Sequence, residues 1–169
     1  MLALPLPCHT RAVAWRIGAV AATVVLVVVY ALGSGRWVST GSSWYLSIEQ
    51  PWWQPPSWIF GLIWPYNFLM LIVVGIAVSW TASPPRVIAL LTLLATTVAL
   101  AIAWAYLFYE PHELMWAAIC LTGAAVLTLP IVGIAFGQAL WMGLVLLPYQ
   151  VWLFLAASLS WGYVATSSR

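Results

Sequence analysis

The chain has 169 residues, 65% of them hydrophobic and 5% charged, with a net charge of +2 and no lysine. Soluble domains carry about 25% charged residues, so this composition is that of an integral membrane protein. So small and scattered a charge excludes the dense basic face of a nucleic-acid binder, and two cysteines without a CxxC indicate neither a thiol redox site nor a zinc cluster.

A helix needs about 20 apolar residues to cross the hydrocarbon core. The first such run covers 12–32, with Arg11 and Arg16 at its start and Gly33-Ser34-Gly35 after it. Ala31-Leu32-Gly33 faintly resembles a cleavage site. The run is long for the apolar region of a signal peptide, however, and Cys8 has no lipobox before it, so it reads as a retained span. Residues 33–57 form the one long connection, and such connections are usually functional lids or disordered linkers. Trp44, Trp52, Trp53 and Trp58 argue against disorder, and Pro51, Pro55 and Pro56 stiffen the path into the next helix.

The second span covers 58–80 and ends at Ser83-Pro84-Pro85-Arg86. The third covers 87–109 and ends at Glu110-Pro111-His112-Glu113. From Leu114 to Ser168 no charged residue occurs, which is too long for one helix. Gly137-Gln138 is the most polar point, so the run divides there into spans at 114–136 and 139–164. The fold class is therefore all-α: a single membrane domain over residues 1–169, built as a bundle of five transmembrane helices. Arg11, Arg16 and Arg86 fall on one side, Arg36 and Arg169 on the other. The positive-inside rule then favours a cytoplasmic N-terminus.

No GxGxxG, P-loop, GxSxG or HExxH occurs, and the odd span count disfavours the inverted repeats of secondary transporters. Glu49, Glu110 and Glu113 all belong to connections, so proton-relay and ion-pump mechanisms have no membrane-buried charge to use. His112 is either a haem axial ligand or a solvated turn residue, and the second reading needs fewer assumptions. No catalytic set and no metal set is expected.

Aromatic residues remain. Trp15, Trp37, Trp58, Trp80 and Trp141 lie near span ends, where interfacial tryptophans belong. Trp64, Trp104, Trp116 and Trp152 fall in four different spans, and the first two and the last lie a turn or more inside. A lipid-facing indole at that depth leaves its N–H unpaired, at about 1–3 kcal/mol. Turned inward, such indoles line a flat apolar cavity with a few donors. Ala95, Ala99 and Ala103 recur every four residues in the third span, a spacing that lets membrane helices approach closely.

Three blocks of residues resemble the TspO/translocator protein family, the tryptophan-rich sensory proteins. The first is Trp44-Tyr45 with Pro51, Trp53, Pro55 and Pro56, continuing through Gly61 to Trp64. The second is Trp104, Phe108 and the polar turn to Trp116. The third is Val145-Leu146-Leu147-Pro148-Tyr149, then Trp152, Ala156 and Leu159. The resemblance implies a five-helix bundle whose long loop between helices 1 and 2 caps a cavity. It implies that Tyr45, Trp64, Trp104, Trp116, Tyr149, Trp152 and Ala156 line or frame that cavity, with Trp64 and Trp152 touching the ligand. Trp44, Pro51, Trp53, Pro55 and Pro56 would form the lid.

The same resemblance implies a multi-pass protein of a bacterial cell membrane. As a receptor or sensor it would bind porphyrin, haem or a related tetrapyrrole as ligand rather than as an obligatory cofactor. Sterols are a further candidate ligand, and a homodimer through the third helix, along the alanine stripe, is implied as well. Porphyrin breakdown driven by light and oxygen, tetrapyrrole or sterol transport, and a structural role in a larger membrane complex are the alternatives. Four positions depart from the family pattern. Ala101 stands where an Asn is usual, Gln50 where a Lys is, Ile72 where a Gly is, and Ser160-Trp161 where Asn-Tyr is. These bear on drug-type and sterol binding more than on flat aromatic ligands. Leu159, Tyr163 and Arg169 still satisfy the loose sterol consensus.

Overall fold

The computed structural model describes residues 8–167, with side chains from residue 10 onward. The side chains of Cys8 and His9, and Arg169 with its place in the charge count and the sterol consensus, lie outside the described residues. Six helices follow in order: α1 (Cys8–Trp37), α2 (Ser43–Ser47), α3 (Ser57–Thr81), α4 (Pro84–Tyr109), α5 (Leu114–Phe136) and α6 (Leu140–Ser167). All except α2 are long and apolar enough to cross a membrane. There is no strand among the described residues.

The helices close into a ring. α1 packs on α3 and α4, α4 on α5, α5 on α6, and α6 back on α3. Water-driven burial cannot hold such a ring inside lipid, so close backbone approach and interhelical hydrogen bonds take its place. Ala117, Ala118, Ala124, Ala125 and Ala135 are fully buried and give α5 a smooth surface between α4 and α6. Gln150 Nε2 donates to the Ala125 carbonyl at 2.9 Å, joining α6 to α5. Tyr66 Oη donates to the Val145 carbonyl at 3.0 Å, joining α3 to α6 next to the ladder that Pro148 interrupts.

The span limits hold at every turn except the first. The Pro55-Pro56 pair precedes α3, Pro84 starts α4, and Gly137 caps α5, as the breaker residues imply. At the first connection the expectation needs correction. α1 runs through Gly33-Ser34-Gly35 to Trp37, so the connection begins later than residue 33. The cause is packing: a Cβ on Gly33 would lie 2.5 Å from Ile102 Cδ1, so the glycine admits α4 to the helix rather than ending it. The connection also contains α2, whose N-cap Ser42 Oγ accepts from the Tyr45 N–H at 3.2 Å.

Candidate functional site

The connection between α1 and α3 lies across one end of the bundle and is held there by side chains. Tyr45, on α2, is buried against Phe108, Ala117 and Tyr163, from the end of α4, the start of α5 and the end of α6. Its hydroxyl is 3.1 Å from the Tyr163 hydroxyl and accepts from Gln54 Nε2 at 3.3 Å. Tyr163 Oη in turn donates to Gln54 Oε1, so the three side chains form a closed polar triangle. Trp53 Nε1 donates to Ser158 Oγ at 3.2 Å, and the Glu49 carbonyl accepts from Thr166 Oγ1 at 3.2 Å. Pro51 is buried against Gly162, where a Cβ would lie 2.6 Å from Pro51 Cγ. Only glycine at 162 lets the loop lie this close to α6.

Trp44 stacks on His112, with ring centroids 3.8 Å apart and an interplanar angle of 19°. His112 has a φ of 59°, which presents its ring from the α4–α5 turn. It is exposed in that turn, as a solvated turn residue is, and its ring also serves as a platform for Trp44. Pro55 and Pro56 lead into α3 at the lid's far end. Trp52 is 91% exposed and Trp58 65% exposed, as interfacial anchors are.

Beneath the lid a second aromatic group occupies the space among α1, α3 and α6. Trp64 and Trp152 meet edge to face, with centroids 6.3 Å apart and planes at 87°. Phe60 packs on Trp152 at 5.0 Å, Phe68 stacks on Trp64 at 5.5 Å, and Tyr30 meets both Trp64 and Phe68 edge-on. Tyr149 and Tyr30 are both wholly buried. The polar atoms of this group are unusual. Tyr30 Oη, Tyr149 Oη, Trp152 Nε1 and both amide atoms of Asn67 are buried with no well-formed hydrogen bond among the described residues. Asn67 follows Trp64 by three residues and so shares its face of α3. An uncompensated buried polar group costs about 1–3 kcal/mol. Trp152 Nε1 and the Tyr30 and Tyr149 hydroxyls lie beside flat apolar rings, and the Asn67 amide lies on the Trp64 face of α3.

The structure divides the seven residues expected at the cavity. Trp64, Tyr149 and Trp152 join the deep group. Tyr45 belongs to the lid group instead, held by its own polar partners. Trp104 bridges the two, packing near Phe108 and Tyr109 while its Nε1 donates to Ser160 Oγ at 3.2 Å. Ala156 is half-buried and packs against the main core. Trp116 requires correction: it is 59% exposed, because the phase of α5 turns Ala117 and Ala118 inward in its stead. Ala101, in place of the usual Asn, is a buried core residue of α4, and Thr97, one turn before it, carries another buried hydroxyl with no hydrogen-bond partner among the described residues. Leu159 and Tyr163 of the sterol consensus are both buried rather than facing lipid. Sequence reasoning missed Tyr30, Phe60, Asn67, Phe68 and Gln54. The detectable signal was a polar side chain within an apolar span, Asn67 in the middle of the second and Tyr30 near the end of the first.

Five spans, a side-chain-latched lid and an aromatic interior define a multi-pass integral membrane protein with no membrane-buried charge among the described residues. Among those residues no three His, Cys, Asp or Glu side chains converge as a metal site would require. The TspO/MBR family model matches residues 19–165, and the chain belongs to that family. It is similar to protein CrtK of Rhodobacter capsulatus, with 27% identity over 122 residues, covering 70% of this chain and 74% of the relative. It is also similar to a tryptophan-rich sensory protein of Cereibacter sphaeroides, with 22% identity over 117 residues, covering 69% and 72% respectively.

Proposed function

We propose that the protein is a membrane receptor or sensor that binds a tetrapyrrole, porphyrin or haem, in the deep aromatic group. The observation that carries this reading is the coincidence of flat apolar rings with unpaired polar atoms at Trp152, Tyr149, Tyr30 and Asn67. A tetrapyrrole offers a broad π-face to stack on indole and polar edge groups to meet the donors. Phe60 and Trp64 both pack on Trp152, so binding separates rings that otherwise fill the space.

Titration of the purified protein with a porphyrin, followed by quenching of tryptophan fluorescence, tests the reading. Trp64→Ala and Trp152→Ala each weaken binding about tenfold, through loss of a stacked ring and, at Trp152, of a buried donor. Trp116→Ala, on the outer surface, leaves affinity within about twofold, the usual scale for a surface change. Equal affinity in all three variants would sink the proposal.

Two further features of the reading concern placement and assembly. The arginines at the start of α1 and of α4 support a cytoplasmic N-terminus, which puts the lid on the opposite side, and a bacterial cell membrane is the setting the family resemblance supports. Labelling of single cysteines in the lid from outside intact cells checks this; protection of the lid there reverses the orientation. The second feature is a homodimer through α4. Ala95 and Ala103 are half-buried and Ala99 is exposed, so the stripe is open to a second copy. Ala99→Leu reduces the dimer fraction several-fold in a chromatography and light-scattering measurement; an unchanged dimer moves the interface elsewhere.

A further inference from the structure

The bundle end opposite the lid carries a feature that the tetrapyrrole reading does not use. A cavity of about 350 Å³ opens between the start of α1 and the α3–α4 turn. Arg11, Ala12, Trp15 and Arg16 line it from α1, where residues four apart share a face, and Ser79 and Ala82 line it from the end of α3. Arg16 is fixed in place. Its Nη1 donates to the Ser79 carbonyl at 3.1 Å and to the Trp80 carbonyl, and its guanidinium carbon lies 5.8 Å from the centre of the Trp80 ring. These carbonyls are the exposed negative end of α3, so Arg16 caps the helix and its charge stays at the cavity wall.

No acidic residue balances this charge. Glu49, Glu110 and Glu113 all belong to the opposite end, in the lid and the α4–α5 turn. A helix of the length of α3 separates the two ends by about 35 Å, well beyond a Debye length at physiological salt. Trp15 and Trp80 flank the cavity and are 42% and 46% exposed, which sets its depth at the headgroup level of the bilayer. The anion found at that depth is lipid phosphate.

We propose that this cavity binds the headgroup phosphate of an anionic phospholipid. Arg11 and the free N–H groups of Arg16 hold the phosphate, while Ala12 and Trp15 lie along the glycerol and the first acyl carbons. A zwitterionic headgroup fits less well, because no carboxylate lines the cavity to balance its ammonium. Basic pockets between membrane helices on the cytoplasmic side recognise anionic headgroups by this chemistry. The site is separate from the deep aromatic group, so it stands or falls independently of the tetrapyrrole reading.

The test uses the full-length protein in a neutral detergent and follows its thermal unfolding midpoint with added lipid. Short-chain phosphatidylglycerol raises the midpoint saturably, whereas phosphatidylcholine at equal concentration does not. Arg11→Gln weakens the apparent affinity for phosphatidylglycerol about tenfold, as loss of one charge-assisted contact would. Arg86→Gln removes the same charge from the same end but not from the cavity lining, and leaves the affinity within about twofold. Ala12→Trp fills the cavity without altering charge and also abolishes the shift, which keeps the proposal open to test should Arg11→Gln fold poorly. An equal shift with inorganic phosphate overturns the lipid assignment in favour of a free-phosphate site. Equal losses in Arg11→Gln and Arg86→Gln, or no difference between the two lipids, overturn the site altogether.

Discussion

The two aromatic groups use similar residues to opposite ends. In the lid group the polar atoms answer one another: Tyr45, Gln54 and Tyr163 close a triangle, Trp53 reaches Ser158, and Trp104 reaches Ser160. In the deep group, Tyr30, Asn67, Tyr149 and Trp152 hold polar atoms that complete no hydrogen bond among the described residues. A region whose hydrogen bonds are internally satisfied is complete without a ligand. One whose polar atoms are buried and unpaired sacrifices stability and regains it only when something binds. On the proposed reading the lid is the structural closure and the deep group is the place of recognition.

The sharpest way to break this comparison is to remove the lid's seat without touching the deep group. In Gly162→Leu the new side chain collides with Pro51 and Trp53, both held against α6 at this point. Overpacking of this kind costs about 1–3 kcal/mol, and the lid has the freedom to lift where the bundle has not. The expected result is an increase of about tenfold or more in amide exchange across residues 38–56, with the exchange of α4 and α5 unchanged. Uniform acceleration along all five long helices would mean that lid and bundle unfold together, and the division into two regions would fail.

A second substitution probes the deep group with the opposite expected sign. Asn67→Leu keeps the branched shape and removes two buried polar atoms that have no partner among the described residues. The free protein becomes more stable by about 1–2 kcal/mol, while affinity for a porphyrin falls. Stability gained and binding lost together is the signature of a polar group retained for a ligand. Thermal unfolding and the quenching titration read the two effects separately. Loss of stability in this variant would show that the amide is already satisfied in the free protein.

Much of the fold was legible because its limits are written in breaker residues. Pro55-Pro56, Ser83-Pro84-Pro85 and Gly137-Gln138 mark the spans to within a few residues. Gly33-Ser34-Gly35 looked like another such mark and was not, since a glycine that ends a helix and one that admits a neighbour have the same letter. The choice between them rests on Ile102, which is distant in sequence. The candidate site was legible in kind but not in grouping. Trp64 and Trp152 are deep tryptophans and fall together. Trp116 looks equivalent in the sequence, yet α5 is apolar on every side, so no periodicity reveals which face turns inward. Tyr45 and Tyr163 are 118 residues apart, and only the closed ring of helices brings their hydroxyls into contact.

The smallest of the expected effects tests the lid's latch itself. Tyr163→Phe preserves the ring packed on Phe108, at 5.2 Å, and deletes only the hydroxyl shared with Tyr45 and Gln54. Tyr45 and Gln54 remain in contact with each other, so the triangle opens rather than disappears. The expected cost is about 1 kcal/mol, seen as roughly fivefold faster exchange at Tyr45 and Leu46 with little change in the unfolding midpoint. Its sign is opposite to that of Asn67→Leu although both changes delete a buried polar group from the same bundle. The difference follows from whether the deleted atom had a partner. If Tyr163→Phe also stabilised the protein, the latch would be as unsatisfied as the deep group, and the contrast between the two regions would be lost.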